Sequence, residues 1–278
     1  MNLTPLSLPP LSDGERLDEV NEQIRLIQKK KGLTFGTDAF LLAAYIRRSP
    51  NSIAVELGGG TGIISLLLAA RNKIKQVTVA EIQQPYAELI ERNAILNGYD
   101  DKVKSLCMDV RSLTPSVIGR EVDLVYSNPP YMKCNTGKRN TEDEKYIARH
   151  EVCGGIEDFC LAAGRLLRHG GRFVCVWRPD RLSELFSALG SAKLEPKRMT
   201  FVHADAQAEP CMVLVESVKV GSPSMRISAP LLLYRAQDDG QSKRILTPEA
   251  QKIYDDCCFP SETNASGDNI HIKTSQIQ

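Results

Sequence analysis

None of the eight cysteines lies in a C-x-x-C pair, and most stand in apolar, strand-like or helix-like runs. That excludes a zinc-ligand spacing and a disulfide framework, and reduced, partly buried thiols of a cytosolic protein are expected instead. Cys257-Cys258, next to the C-terminal tail, are expected at the surface. No apolar run approaches the roughly 18–20 residues that cross a bilayer. The start M-N-L-T-P-L-S-L-P-P lacks the basic segment and long apolar stretch of a secretory signal, so the acceptor pattern Asn264-Ala265-Ser266 has no expected use. Charge of one sign is missing too: 35 Lys and Arg against 34 Asp and Glu leave a net charge of +1. Nucleic-acid binders are often strongly basic, so a phosphate-bearing partner has to meet a local patch here. Two qualify: Lys29-Lys30-Lys31 with Arg25 nearby, and Lys133 through Arg149, with five basic residues against three acids. Short charge runs are more often solvated surface, and only their place relative to a site raises them above that.

There is no internal repeat and no low-complexity linker. Residues 1–20 read as a loose polar leader, 21–48 as an N-terminal element in which Asp38 is placed to cap a helix over 39–48, and 49–218 as a core. In that core short apolar strands at 53–57, 76–80, 103–107, 122–126 and 172–177 alternate with helices up to about residue 71, at 85–96, 155–168 and 181–189. Gly170-Gly171 are read as closing the third of those helices. Paired strands at 198–203 and 211–218 follow, then a strand at 228–234 and a helix opening at Thr247-Pro248-Glu249. Such alternation predicts an α/β fold: a mainly parallel, Rossmann-like sheet with helices on both faces. A single domain is expected over 21–256, and residues 259–278, rich in Ser, Asn and Gln, read as a disordered tail.

The first core strand ends in Glu56-Leu57-Gly58-Gly59-Gly60-Thr61-Gly62. Glycines at 58, 60 and 62 give G-x-G-x-G, whereas a dinucleotide fingerprint needs its third glycine at 63, which is Ile63. Alone, such a loop is weak evidence and is often only a tight strand-to-helix turn. Glu81 ends the next strand 19 residues beyond Gly62, an offset at which an acid accepts both hydroxyls of a ribose. Asp109 closes the third strand in C-M-D-V, where it can accept from an adenine amino group. Single strand-end acids are usually turn residues or caps. Three of them, Glu56, Glu81 and Asp109, after three successive strands suit a nucleoside with no phosphates and one positive charge, S-adenosylmethionine.

E-L-G-G-G-T-G, V-A-E, C-M-D-V and S-N-P-P-Y, in that order over about residues 53–218, resemble the class I S-adenosylmethionine-dependent methyltransferases. The resemblance implies a seven-stranded sheet whose last strand is antiparallel, with the cofactor above the first four strands. It implies cofactor contacts from Glu56, Gly58, Gly60, Gly62, Glu81, Ile82, Asp109, Val110 and Asn128.

Within Ser127-Asn128-Pro129-Pro130-Tyr131 the residues carry their own chemistry. An aryl or amide amine is a poor nucleophile because its lone pair is delocalised. Two acceptors on its two N–H bonds aim that lone pair: the side-chain oxygen of Asn128 and the carbonyl of Pro129, held by the fixed φ of proline. Tyr131 offers a face for a planar group. The plain alternative is a strand terminator. N-P-P-Y marks methyl transfer to an adenine N6 or to a glutamine amide, and does not separate the two.

Further segments, L-T-F-G-T-D-A-F-L-L-A at 33–43, A-R-H-E at 148–151 and A-P-L-L-L-Y at 229–234, resemble the tRNA1(Val) adenine-37 N6-methyltransferases over about 21–256. The implied substrate is the anticodon stem-loop of a tRNA, in the cytoplasm, with no membrane or metal partner. Thr37 and Asp38 would stand by the cofactor's methionine end, Arg149 and His150 near the target pocket, and Lys29, Lys30, Lys31 and Lys133 along the tRNA backbone. The acidic cluster Glu142-Asp143-Glu144 departs from a phosphate-binding loop. Two alternatives remain. Release-factor glutamine methyltransferases share N-P-P-Y but resemble a larger design with a longer helical N-terminal domain. A non-catalytic scaffold of the same fold is disfavoured by intact glycines, Glu81 and Asn128.

Overall fold

The computed structural model describes residues 10–32, 35–130, 154–235 and 244–260 of the 278-residue chain. Two strands, β1 (Glu15–Asn21) and β2 (Ile24–Lys29), form an antiparallel hairpin where a loose leader is expected up to residue 20. Long-range side chains order it. Asn21 Oδ1 closes the turn by accepting from the Gln23 and Ile24 amides, both at 2.9 Å. Arg92 pairs with Glu15 at 2.7 Å.

Helix α1 (Thr37–Tyr45) leads into β3 (Ile53–Leu57), α2 (Ile63–Ala70), β4 (Gln76–Glu81), α3 (Gln84–Leu96) and β5 (Val103–Cys107). A short helix α4 (Pro115–Ile118), capped by Thr114, precedes β6 (Val122–Ser127). Helix α5 (Ile156–Leu166), β7 (Leu167–Trp177), α6 (Leu182–Ser191), β8 (Leu194–His203) and β9 (Pro210–Lys219) complete the core. Two-residue strands β10 (Arg226–Ile227) and β11 (Leu231–Leu232) and helix α7 (Pro248–Asp256) follow.

The large sheet runs β10-β8-β9-β7-β6-β3-β4-β5, with β11 also on β8. Seven long strands make its body, and β9 alone runs antiparallel, between β7 and β8. Three expected boundaries move. Helix α5 stops at Leu166, and Gly170-Gly171 lie inside β7 rather than closing the helix; the register slips opposite them, between Val122 and Leu124. In place of the expected strand at 228–234 stand two short pieces, β10 just before it and β11 within it, with Pro230, which has no N–H for a ladder, between them. Phe259, expected in a disordered tail, is 3% exposed and meets the Tyr45 ring edge-on at 4.9 Å. Residues 261–278 lie outside the described ones. Cys257, expected at the surface, is buried as well, and Cys258 is half-buried.

One apolar core under α1, α2 and α7 and another under α5 and α6 cover the two faces of the sheet. From β3 the chain winds outward to β4 and β5, and β6 and β7 then build away on the other side. The connections that leave the carboxyl ends of the paired strands β3 and β6 therefore run to opposite sides and open a crevice, where ligands bind in sheets of this kind. Among the described residues no helix is long and apolar enough to cross a membrane.

Candidate active site

The glycine loop leaves β3 at the edge of that crevice. Gly58, Gly60 and Gly62 have φ of +72°, +56° and +80°, the left-handed region that side chains rarely enter. Gly62 is the N-cap of α2. At Gly59 the reason is space: a Cβ would stand 2.0 Å from Val79 Cγ1. Gly60 faces open space, with nothing within 4 Å of a Cβ built there, and it lines a cavity. Phe35, Gly36, Asp38 and Ala39 at and just before the start of α1, Glu56, Gly58, Gly59, Thr61, Ile63 and Ile64 of the glycine loop and its flanks, and Asn128 after β6 line it too.

Glu56 is 1% exposed and receives the Ser65 hydroxyl, and Ser65 Oγ lies 2.7 Å from the Tyr126 hydroxyl. Burial raises the Glu56 carboxyl to about 8 in spite of those hydrogen bonds, so it is mainly neutral at pH 7. The same burial lifts Tyr126 well above its ordinary value, with the Glu56 charge adding to it. Ser65 and Tyr126 went unnoticed in the sequence, where both read as ordinary helix and strand residues.

Glu81, at the end of β4, accepts from the amides of Gly60 at 3.0 Å and Gln83 at 2.9 Å, one on each carboxylate oxygen. A carboxylate offers about four lone-pair sites, so capacity for a further donor remains beyond these and the nearby Ile82 amide. Burial raises its pKa. Ile82 follows, half-buried, and Val110 is buried beyond β5; neither they nor Thr37, Gly62, Glu81 and Asp109 are among the cavity-lining residues. Asp109 is committed elsewhere. Its carboxylate caps a 3-10 turn by accepting from the Arg111 amide at 2.8 Å and forms a fork with the Arg111 guanidinium, which holds it below the usual carboxylate range. That is the cap role which strand-end acids commonly play.

Asp38 is not the N-cap of α1. Gly36 occupies that position, with no side-chain cap, and Asp38 sits in the first turn. Its Oδ1 accepts from the Ala39 amide at 3.0 Å and its Oδ2 from Asn128 Nδ2 at 2.7 Å. An ionised carboxylate only accepts, so the amide nitrogen of Asn128 must face it and the amide oxygen must point the other way. Pro129 is buried and Pro130 half-buried. Tyr131, Lys133, Arg149 and His150 lie outside the described residues. Lys29 stands over the Tyr86 ring, with Nζ 4.7 Å from its centroid. Lys30 and Lys31 are exposed on the segment that leads to Phe35.

Residues 29–189 match the family model described as methyltransferase small domain. A tRNA1(Val) (adenine(37)-N6)-methyltransferase of Porphyromonas gingivalis (strain ATCC 33277) is 32% identical over 187 residues, 65% of this chain and 72% of the relative. One of the same name from Bacteroides fragilis (strain ATCC 25285) is 26% identical over 198 residues, 70% of this chain and 81% of the relative. Among solved structures, a predicted O-methyltransferase of Agrobacterium tumefaciens superposes with a TM-score of 0.63 at 22% identity, covering 80% of this chain and 97% of the other.

Proposed function

Given that the chain belongs to the methyltransferase small domain family, we propose that it methylates the exocyclic N6 amine of an adenine in tRNA. The base is the anticodon-adjacent adenine 37 of a valine tRNA, in the cytoplasm, met through the anticodon stem-loop and without a metal or a membrane. The relatives' printed names support the substrate. The observation that carries the chemistry is Asn128, clamped by Asp38 in the lining of the glycine-walled cavity.

The cavity suits S-adenosylmethionine. Among the described residues that line it there is neither Lys nor Arg, so these offer no cation to a pyrophosphate. Gly60 leaves room at the wall, and the unused acceptor capacity of Glu81 fits a ribose diol. Thr37 and Asp38 would stand at the methionine end and Gly58, Gly60, Gly62, Glu81 and Ile82 along the nucleoside, with Val110 toward the base. The bound cofactor supplies an electrophilic methyl group on a sulfonium. Asn128 Oδ1 accepts one N–H of the adenine amine, and the Pro129 carbonyl accepts the other. Together they turn the nitrogen lone pair toward the methyl. Orientation of this kind is worth up to about 7–11 kcal/mol in ideal cases. No strong base is required, since the methylated nitrogen is acidic and loses its proton readily. The target base has to leave its stack, which costs least in a single-stranded loop. In this reading Lys29, Lys30, Lys31 and Lys133 would meet the tRNA backbone, Tyr131 the face of the base, and Arg149 and His150 the target base.

Labelled cofactor offered in parallel to total tRNA and to release factor tests this reading. N6-methyladenosine in digested tRNA is expected; label on the protein instead would overturn the substrate. Asn128→Ala should lower turnover by about 100-fold or more while S-adenosylmethionine still raises Tm.

A further inference from the structure

The clamp on Asn128 depends on the first turn of α1, and that turn is poorly anchored from within. Its N-cap, Gly36, provides no side-chain cap, and the first N–H groups of any helix have no intrahelical partner. The anchor comes from the far end of the chain. Tyr254 on α7 donates its hydroxyl to Thr37 Oγ1 at 3.0 Å, and its ring packs on Phe40, one turn further along α1, with centroids 4.9 Å apart.

Helix α7 is itself tightly held. Thr247 caps it by accepting from the Ala250 amide at 3.1 Å, and the same hydroxyl donates to the Leu232 carbonyl at 2.7 Å. Tyr254 is therefore carried on a stiff support, fastened through β11 to the main sheet.

We propose that Tyr254 is a positioning residue for methyl transfer. Its hydroxyl and ring hold Thr37 and Phe40, which fixes Asp38 between them so that the Asp38 carboxylate aligns the Asn128 amide with the incoming amine. Thr37 and Phe40 lie within the matched family region, residues 29–189, and Tyr254 lies outside it. Burial, with the nearby Asp38 charge adding to it, raises the Tyr254 pKa, so the hydroxyl stays a donor at neutral pH. The energetic logic is that of a supporting hydrogen bond: small for binding, larger for reaction, because a misplacement of 1 Å costs up to about 100-fold.

The proposal rests on the Asn128 reading above, and the experiment separates the two. Tyr254→Phe keeps the ring and removes the hydroxyl. In the full chain its kcat should fall about 5- to 30-fold, with KM for tRNA, affinity for S-adenosylmethionine and Tm nearly unchanged. Thr37→Val/Tyr254→Phe should be no slower than the slower single variant, because both break one contact. A wild-type kcat in Tyr254→Phe, or a lower Tm with kcat per folded molecule intact, would overturn the positioning role while Asn128→Ala is inactive. Multiplying losses in the double variant would overturn it too. Asn128→Ala retaining wild-type turnover would instead bring down the Asn128 reading, and the proposal with it.

Discussion

Glu56, Asp38 and Asp109 show how a residue's chemistry depends on what reaches it. All three are acids near one sheet edge, yet Glu56 is pushed up by burial, Asp109 is held down by Arg111, and Asp38 spends its carboxylate on Asn128. For Glu56 a pH dependence follows. Its folded pKa of about 8 exceeds the ordinary 4.5, so the folded state binds a proton that the unfolded state releases between those values. The stability it contributes is fully present below about pH 4.5 and is lost as the pH rises toward 8. Glu56→Gln, which cannot ionise, should remove that slope. Urea midpoints at pH 5 and pH 8 measure it, and equal slopes in the two proteins would contradict the neutral carboxyl. The acid itself was legible from its place before G-x-G-x-G. Its protonation was not, because desolvation comes from the core packed around it and outweighs the hydrogen bonds of Ser65 and Tyr126, which act the other way.

At the scale of elements, the hairpin β1–β2 is docked by two asparagines, Asn93 of α3 and Asn97 at its C-cap. Asn93 Oδ1 accepts from the Ile27 amide at 2.7 Å, and its Nδ2 donates to the carbonyls of Ile27 at 3.1 Å and Thr61 at 3.0 Å. Asn97 makes the same pair with Arg25, accepting at 2.9 Å and donating at 2.7 Å. These amides take the place of a neighbouring strand on the edge of β2, and Asn93 joins that edge to the glycine loop. Asn97→Ala should destabilise by about 1–3 kcal/mol, with amide exchange at Arg25 speeding up first. Asn93→Ala, fully buried, should cost at least as much and also weaken S-adenosylmethionine binding. Unchanged exchange in β2 would remove the docking role. Alternating strands and helices were readable from periodicity, and the stop at Asn97-Gly98 from turn chemistry. The hairpin was not, since polar residues 10–20 carry no strand pattern of their own and are ordered by partners far along the chain.

Across the whole molecule, α1 is tied to the distant β8–β9 pair by a buried ionic group. Arg198 donates to the Tyr45 carbonyl at 2.5 Å and to Glu216 at 3.1 Å, and its guanidinium lies 3.7 Å from the centroid of the Tyr45 ring. Arg47 adds a contact to Glu216 at 3.6 Å. Removing one partner of a buried pair leaves the other charge uncompensated, so Glu216→Ala should cost about 3–5 kcal/mol, read as a lower urea midpoint. A change within ~0.5 kcal/mol, the range of ordinary surface substitutions, would show that Arg198 finds other support.

What the sequence determined by itself was local: apolar periods that fix strands and helices, glycines at 58, 60 and 62 that permit the turn, and an amide followed by prolines at a strand end. These follow from backbone sterics and hydrogen-bonding capacity within a few residues. Tertiary structure alone decided that Asp38 turns to Asn128, 90 residues away, and that Tyr254 reaches Thr37 across 217. A side chain's partner is set by which elements pack together, and no local period encodes that choice.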